Sequence, residues 1–353
     1  MLALYGADER IAAIGRFAEQ GKGRIFTVKN LSSSAKAVAM AATPAPGRLR
    51  VVVVADADEA PYVYHDLTRL LDEQEVFFLP SSFRHLTAPG EADPQSVQLR
   101  TEALSRMLDA AAPAVTVVTY PEALTEKIIA APTLARNTFQ VAVGDRLSIA
   151  FMTDVLNEYG FERVDFVFEA GQYSVRGSIV DVFSFASDNP FRIDFFGDEV
   201  DSIRTFELES QLSVEQMRQA TVVPNINRSD THTDLHPFFD VLPDDCQLWV
   251  ENCGQMQTQA DAFFARVRVA AAADESAVCV ADYVSGAELA SGLGRFAVVQ
   301  FGLSVTPDDK SLMLDFGTTP QPVFHKNFDL LEDDIYYRLQ EGYVVNILSD
   351  NRR

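Results

Sequence analysis

Residues 171–206, GQYSVRGSIVDVFSFASDNPFRIDFFGDEVDSIRTF, constrain the fold more than any other stretch, because apolar and polar positions alternate there with a period of two. Ile179, Asp181, Phe183 and Phe185 take one parity and Val180, Val182 and Ser184 the other. Phe191, Ile193 and Phe195 resume the pattern after the Asp188-Asn189-Pro190 break. Gly197-Asp198 supplies a hairpin turn, since glycine enters positive φ without a Cβ clash. The stretch predicts three short antiparallel strands carrying exposed Arg176, Arg192 and Arg204. The window 141–210 adds Arg146 and Arg163 and holds no lysine. A guanidinium forms two-point contacts with carboxylates and sheds water more readily than an ammonium, which suits a protein interface. The competing reading is local pairing with the many acidic residues of the same window, and such surface pairs contribute little.

Upstream, helix and strand patterns alternate. Ile11, Ile14 and Ala18 mark a helix face, Arg24–Val28 a strand, Ala35–Ala42 a helix, Arg50–Val54 a strand, and Val63, Leu67 and Leu71 a helix. Val76–Leu79 then reads as a strand, Gln95–Ala111 as a helix, Ala114–Thr119 as a buried strand, with a short helix from Pro121. This rhythm predicts a doubly wound parallel sheet. After a break near 133–144, Leu147–Tyr159 is an amphipathic helix closed by Gly160. Beyond the strand-rich stretch, Gln247–Glu251, Ala277–Ala281 and Val298–Phe301 read as strands, with a long helix over Met256–Ala272. The last segment has a helix pattern over Asp334–Leu339 and an apolar strand pattern over Tyr343–Leu348.

The connection Lys29–Ala37 sits where a strand feeds a helix, the place of a phosphate-binding loop. Against G-x-x-x-x-G-K-[ST], Asn30 and Ala35 replace the glycines, Ala37 replaces the metal-binding hydroxyl, and Lys36 alone fits. A Cβ at 35 crowds the backbone approach to phosphate and a methyl at 37 ligates nothing, so ATP hydrolysis is not expected there. Asp56, Asp58 and Glu59 follow a strand but serve more simply to start the next helix. Asp198-Glu199-Val200-Asp201 reads as a solvated turn and Gly292-Leu293-Gly294 as a loop. His232 and His236 lie in polar, turn-rich sequence with no third ligand, so no metal is expected. Cys246, Cys253 and Cys279 are odd in number and lack C-x-x-C spacing, predicting reduced thiols. A net charge of -22, with no basic cluster interleaved with aromatics, argues against autonomous DNA binding. No apolar run suffices for a signal peptide or membrane span, which predicts a cytoplasmic protein.

The wording Y-S-V-R-G-x-I-x-D-x-F, followed by R-I-x-F-F-G-D-E-x-D-S-I-R-x-F, closely resembles the second domain of the bacterial transcription-repair coupling factor family (Mfd), and more distantly that of UvrB. The degenerate loop at Asn30, Ala35, Lys36 and Ala37 follows the coupling factors, since UvrB keeps an intact one. Phe78–Gln98 also lacks the tyrosine-rich hairpin of UvrB. The resemblance implies a degenerate P-loop NTPase-like parallel sheet of the UvrB 1a/1b type, with an inserted smaller α+β domain rich in antiparallel strands. It implies domains at 1–140, 141–212 and 213–318, the last packing back on the first, and the start of a further domain at 319–353. It further implies docking of UvrA on the second domain, through Arg176 and, with it, Phe183, Arg192, Arg204 and Arg163. RNA polymerase, double-stranded DNA, ATP and magnesium would belong to domains outside this chain, which is expected to be a non-enzymatic monomer. The alternative is an ATP-binding, UvrB-type damage-verification protein.

Overall fold

The computed structural model describes residues 2–45, 47–72, 75–83, 93–225, 235–273, 278–303, 305, 312–318, 324 and 327–345. The expected parallel sheet begins with β1 (Arg24–Lys29), β2 (Leu49–Val53), β3 (Val76–Phe78) and β4 (Val115–Thr119). The chain then runs through β5 (Ile128–Ile129), β6 (Phe139–Ala142), β7 (Glu162–Arg163), β8 (Gln172–Arg176), β9 (Ile179–Val182), β10 (Phe191–Phe196), β11 (Glu199–Phe206), β12 (Ser213–Met217), β13 (Gln219–Val222) and β14 (Leu235–His236). It closes with β15 (Gln247–Glu251), β16 (Ala297–Gly302) and β17 (Leu312–Asp315). Seven strands form an all-parallel sheet in the order β17-β1-β16-β15-β2-β4-β3. Strands from the far end of the chain therefore lie between β1 and β2.

Alternation along β2 explains why this sheet must be covered twice. Leu49, Val51 and Val53 enter one core with Leu104, Met107, Met256 and Leu289, whereas Val52 and Val54 enter another with Ile11, Ile14, Met40, Val63 and Leu67. Helices Pro94–Leu108, Cys253–Ala273 and Gly286–Gly292 supply the first set, and Glu9–Gln20, Ala35–Ala42 and Ala60–Leu70 the second. A sheet buried on both faces has near-continuous apolar strands, as LRVVV and VTVVT are here.

The second sheet has six strands in the order β12-β11-β10-β9-β8-β7, antiparallel except for β7 against β8. Residues 171–206 contain four of them, one more than expected, because Gly177 at φ 62 turns the chain back between Arg176 and Ile179. Helix Ile149–Glu158, capped by Ser148, packs Met152 and Leu156 against Tyr173, Val180, Val182, Ile193 and Ile203. This unit leaves and rejoins the chain through a ribbon in which β6 pairs with β13, Phe139 opposite Val222. The expected break near 133–144 is thus helix Ala131–Arg136 followed by β6.

Three smaller expectations are corrected. Val278–Ala281 form no strand: Val280–Asp282 is a short 3-10 turn, and Val278 packs with Phe263, Val267 and Tyr283 instead of joining a sheet. Gly292–Gly294 is helix end and 3-10 turn, not open loop. Tyr343–Val345 is not a strand, and 346–348 lie outside the described residues. Residues Met1–Gly317 form one compact unit and Thr318–Arg353 a second. In the latter, helix Phe328–Gln340 begins at Asn327, whose side chain accepts from the Asp329 and Leu330 N–H groups.

Candidate functional site

On the outer face of the second sheet, cross-strand register lines up Ser174, Asp181, Arg192, Arg204 and Gln216, one residue from each of β8 to β12. The opposite parity carries Val180, Val182, Ile193 and Ile203 into the core. Strand alternation thus sorts the arginines onto one surface. At its centre is Asp181, only 2% exposed. Arg192 donates to it twice, Nε to Oδ1 at 2.7 Å and Nη2 to Oδ2 at 2.9 Å. Arg176 Nη2 donates to the same Oδ2. One carboxylate therefore holds two guanidinium groups, and its hydrogen bonds raise the Arg192 pKa above the ordinary arginine range.

The arginines differ in availability. The Arg192 side chain is 13% exposed and lies over the Phe206 ring, 4.2 Å from its centroid. Arg176 is 35% exposed and sits 4.9 Å from the centroid of Phe166. Arg204 donates to Asp194 Oδ2 at 2.5 Å, which Ser202 Oγ also reaches. Arg163, in β7, is exposed but lies on a different strand from this row. Arg146 is fully open, near Glu199. Phe183, expected at the contact surface, is buried at 4% exposure and cannot present its ring to a partner. The surface instead offers Phe166 and Phe196, both exposed. Neither stood out in the sequence, because aromatic residues are so frequent in this window; a strand parity shared with Asp194 was the available signal for Phe196.

The Lys29–Ala37 connection is held by polar contacts at both ends. Asn30 and Ser33 adopt left-handed backbone at φ 52, where glycine would be unstrained. Asn30 Nδ2 donates to both oxygens of Asp315, holding that carboxyl below its usual range. Lys36 is buried, and its Nζ donates to Glu59 Oε1 at 2.5 Å and Glu251 Oε1 at 2.6 Å. Glu251 Oε2 accepts the Ala55 N–H. Burial raises the Glu251 pKa while Lys36 opposes that shift. Ala35 is partly buried against the apolar core that Ala37 joins outright. Asp56 Oδ1 accepts from the Asp58 and Glu59 N–H groups and so shapes the turn before helix Ala60–Leu70, but no side chain of the acidic cluster caps that helix, contrary to expectation. The pairing of Glu59 and Glu251 with Lys36 was not expected.

The remaining candidates are quickly placed. Gly197-Asp198 makes the β10–β11 turn. His236 is in β14 opposite Ile128, and His232 lies outside the described residues. Among the described residues, no group of three or more His, Cys, Asp or Glu could hold a metal ion. The three cysteines are free, and burial pushes the Cys253 thiol up to about 12. Within Phe78–Gln98, where no tyrosine-rich hairpin is expected, residues 84–92 lie outside the described residues, and helix Pro94–Leu108 follows. Among the described residues, no helix is long and apolar enough to cross a membrane.

Residues 139–227 match the UvrB interaction domain family. The match starts at the first residue of β6 and ends shortly after β13, so it coincides with the ribbon-closed second sheet. The chain is 30% identical over 167 residues to the transcription-repair-coupling factor of Bacillus subtilis, covering 47% of this chain and 14% of that protein. It is 41% identical over 91 residues to the same factor of Haemophilus influenzae, covering 26% and 8%. It is 29% identical over 100 residues to UvrABC system protein B of Thermotoga petrophila, covering 28% and 15%. The alignments therefore span no more than 15% of any of these three relatives. The face built on Asp181 belongs to a segment matching the UvrB interaction domain, in a chain similar to bacterial transcription-repair-coupling factors.

Proposed function

We propose that this chain is a recruiting module of nucleotide excision repair, which docks UvrA on the outer face of its second sheet and so serves transcription-coupled repair. The observation that carries the reading is the coincidence of the family match at 139–227 with the sheet whose register gathers Arg176, Arg192 and Arg204 beside exposed Phe166 and Phe196. Arginine and aromatic side chains are the residue types enriched at protein interfaces. Arg176 is the chief anchor, because its guanidinium is both held in place by Asp181 and open to a partner. Arg204 and exposed Arg163 extend the contact, and Arg192 braces it from beneath. On this reading the first sheet is a degenerate P-loop NTPase-like framework. The chain is cytoplasmic, acts as a monomer and is not itself an enzyme, with ATP, magnesium, RNA polymerase and double-stranded DNA handled elsewhere.

The test is a pull-down of UvrA with the wild type and Arg176→Glu, alongside a thermal melt. Loss of a central interface arginine costs about 2 kcal/mol or more, roughly 30-fold in Kd. The expected result is weakened capture from a protein that still melts cooperatively, with only a modest drop in midpoint. Undiminished capture by the charge-reversed protein would remove Arg176 from the interface. The similarity to UvrABC system protein B favours a second reading, an ATP-binding damage-verification protein. Micromolar binding of magnesium-ATP to the wild-type chain would support it over the first.

A further inference from the structure

The Lys36 amine lies beyond the carboxyl ends of the parallel strands and beside the start of helix Ala35–Ala42, the position at which α/β sheets hold phosphate groups. An ammonium has three donors, and two are taken by carboxylate oxygens at 2.5 and 2.6 Å. Those oxygens occupy the coordination positions that a bound oxyanion would fill. The Glu251 carboxylate also accepts the Ala55 N–H, and the turn at Asp56 holds the backbone of Glu59. The three side chains formally carry one excess negative charge, which disfavours an external polyphosphate.

We propose that Glu59 and Glu251 are a built-in counter-anion, and that Lys36 marks a latent oxyanion site closed from within. This is independent of how the second sheet recruits its partner. Removing both carboxylates leaves a buried, unpaired ammonium and opens the space they filled. An oxyanion then becomes the group that restores pairing, so anion binding and folding become coupled.

The experiment uses inorganic pyrophosphate and follows thermal unfolding through Trp249, the single tryptophan, which is fully buried in β15. Wild type, Glu59→Ala/Glu251→Ala and Lys36→Met/Glu59→Ala/Glu251→Ala are melted across a pyrophosphate series, with sodium chloride at matched ionic strength as control. Expected is a midpoint that climbs with pyrophosphate in the double variant, beyond its salt control, and none in the wild type or triple variant. If the double variant does not fold in plain buffer, pyrophosphate is expected to restore a cooperative transition. The proposal is overturned by a double variant that neither shifts nor is rescued, by an equal shift in the triple variant, or by an equal shift in the wild type.

Discussion

Replacing Asp181 by alanine tests whether the arginine face is organised by a single buried carboxylate. The change deletes the acceptor of three charge-assisted hydrogen bonds, one from Arg176 and two from Arg192. Removing one member of a buried ion pair costs about 3–5 kcal/mol, mostly because the remaining charge stays desolvated. The two arginines bear that cost unequally. Arg176 is 35% exposed and can turn into water, so its part is about 1 kcal/mol or less. Arg192 is 13% exposed and keeps only Gln211 and the Phe206 ring, which places the total near the lower end, about 3 kcal/mol. With a urea dependence of about 1–3 kcal/mol per molar, the unfolding midpoint should fall by roughly 1–3 M. Arg176→Ala should move it far less, since it removes only a partly exposed partner. The measurement is urea unfolding of wild type, Asp181→Ala and Arg176→Ala, followed by circular dichroism. A loss within about 0.5 kcal/mol of wild type for Asp181→Ala, or equal losses for both variants, would refute the assignment of Asp181 as the hub.

Two further outcomes are expected. Glu102, on helix Pro94–Leu108, has its pKa raised by burial and then by Asp188, from 4.5 to about 7, with Arg106 opposing. Below about 4.5 the group is protonated whether the chain is folded or not; as pH rises through 7 the folded protein must ionise it in place, so its contribution to stability is lost over that window. Glu102→Gln should flatten this slope, gaining up to about 3 kcal/mol at pH 8 relative to pH 5; parallel pH profiles in urea melts would contradict it. Gly171 holds φ +88, and a Cβ there would lie 2.6 Å from the Phe185 ring. Gly171→Ala should therefore cost about 1–3 kcal/mol in a thermal melt, and an unchanged midpoint would show that the ring can move aside freely.

Much of the fold was legible because its signals are local. The run Arg50–Val54 reads as a buried strand, and the structure has Leu49–Val53; Ala35–Ala42 is a helix over the expected residues. Both follow from periodicity and apolar content within a few residues. The alternation at 179–185 and 191–195 likewise separates the core residues Val180, Val182, Ile193 and Phe195 from Asp181 and Arg192. The two-residue turn at Gly177-Ser178 was missed because VRGSIV reads as one continuing strand when glycine is passed through.

The candidate sites divide along the same line. The sequence alone determined that Arg176, Arg192 and Arg204 accompany alternating strands, and that the loop at Lys36 lacks its glycines and hydroxyl. Tertiary structure decided what those groups do: that Asp181 grips Arg176 and Arg192, that Phe183 faces inward, and that Phe166 lies against Arg176. It also brought Glu251, 215 residues away in the chain, onto Lys36 by placing β15 and β16 between β1 and β2. Period and propensity report which face of its own strand or helix a side chain occupies. The partner it meets depends on which strands become neighbours, and that is settled only when both faces of the sheets are buried together.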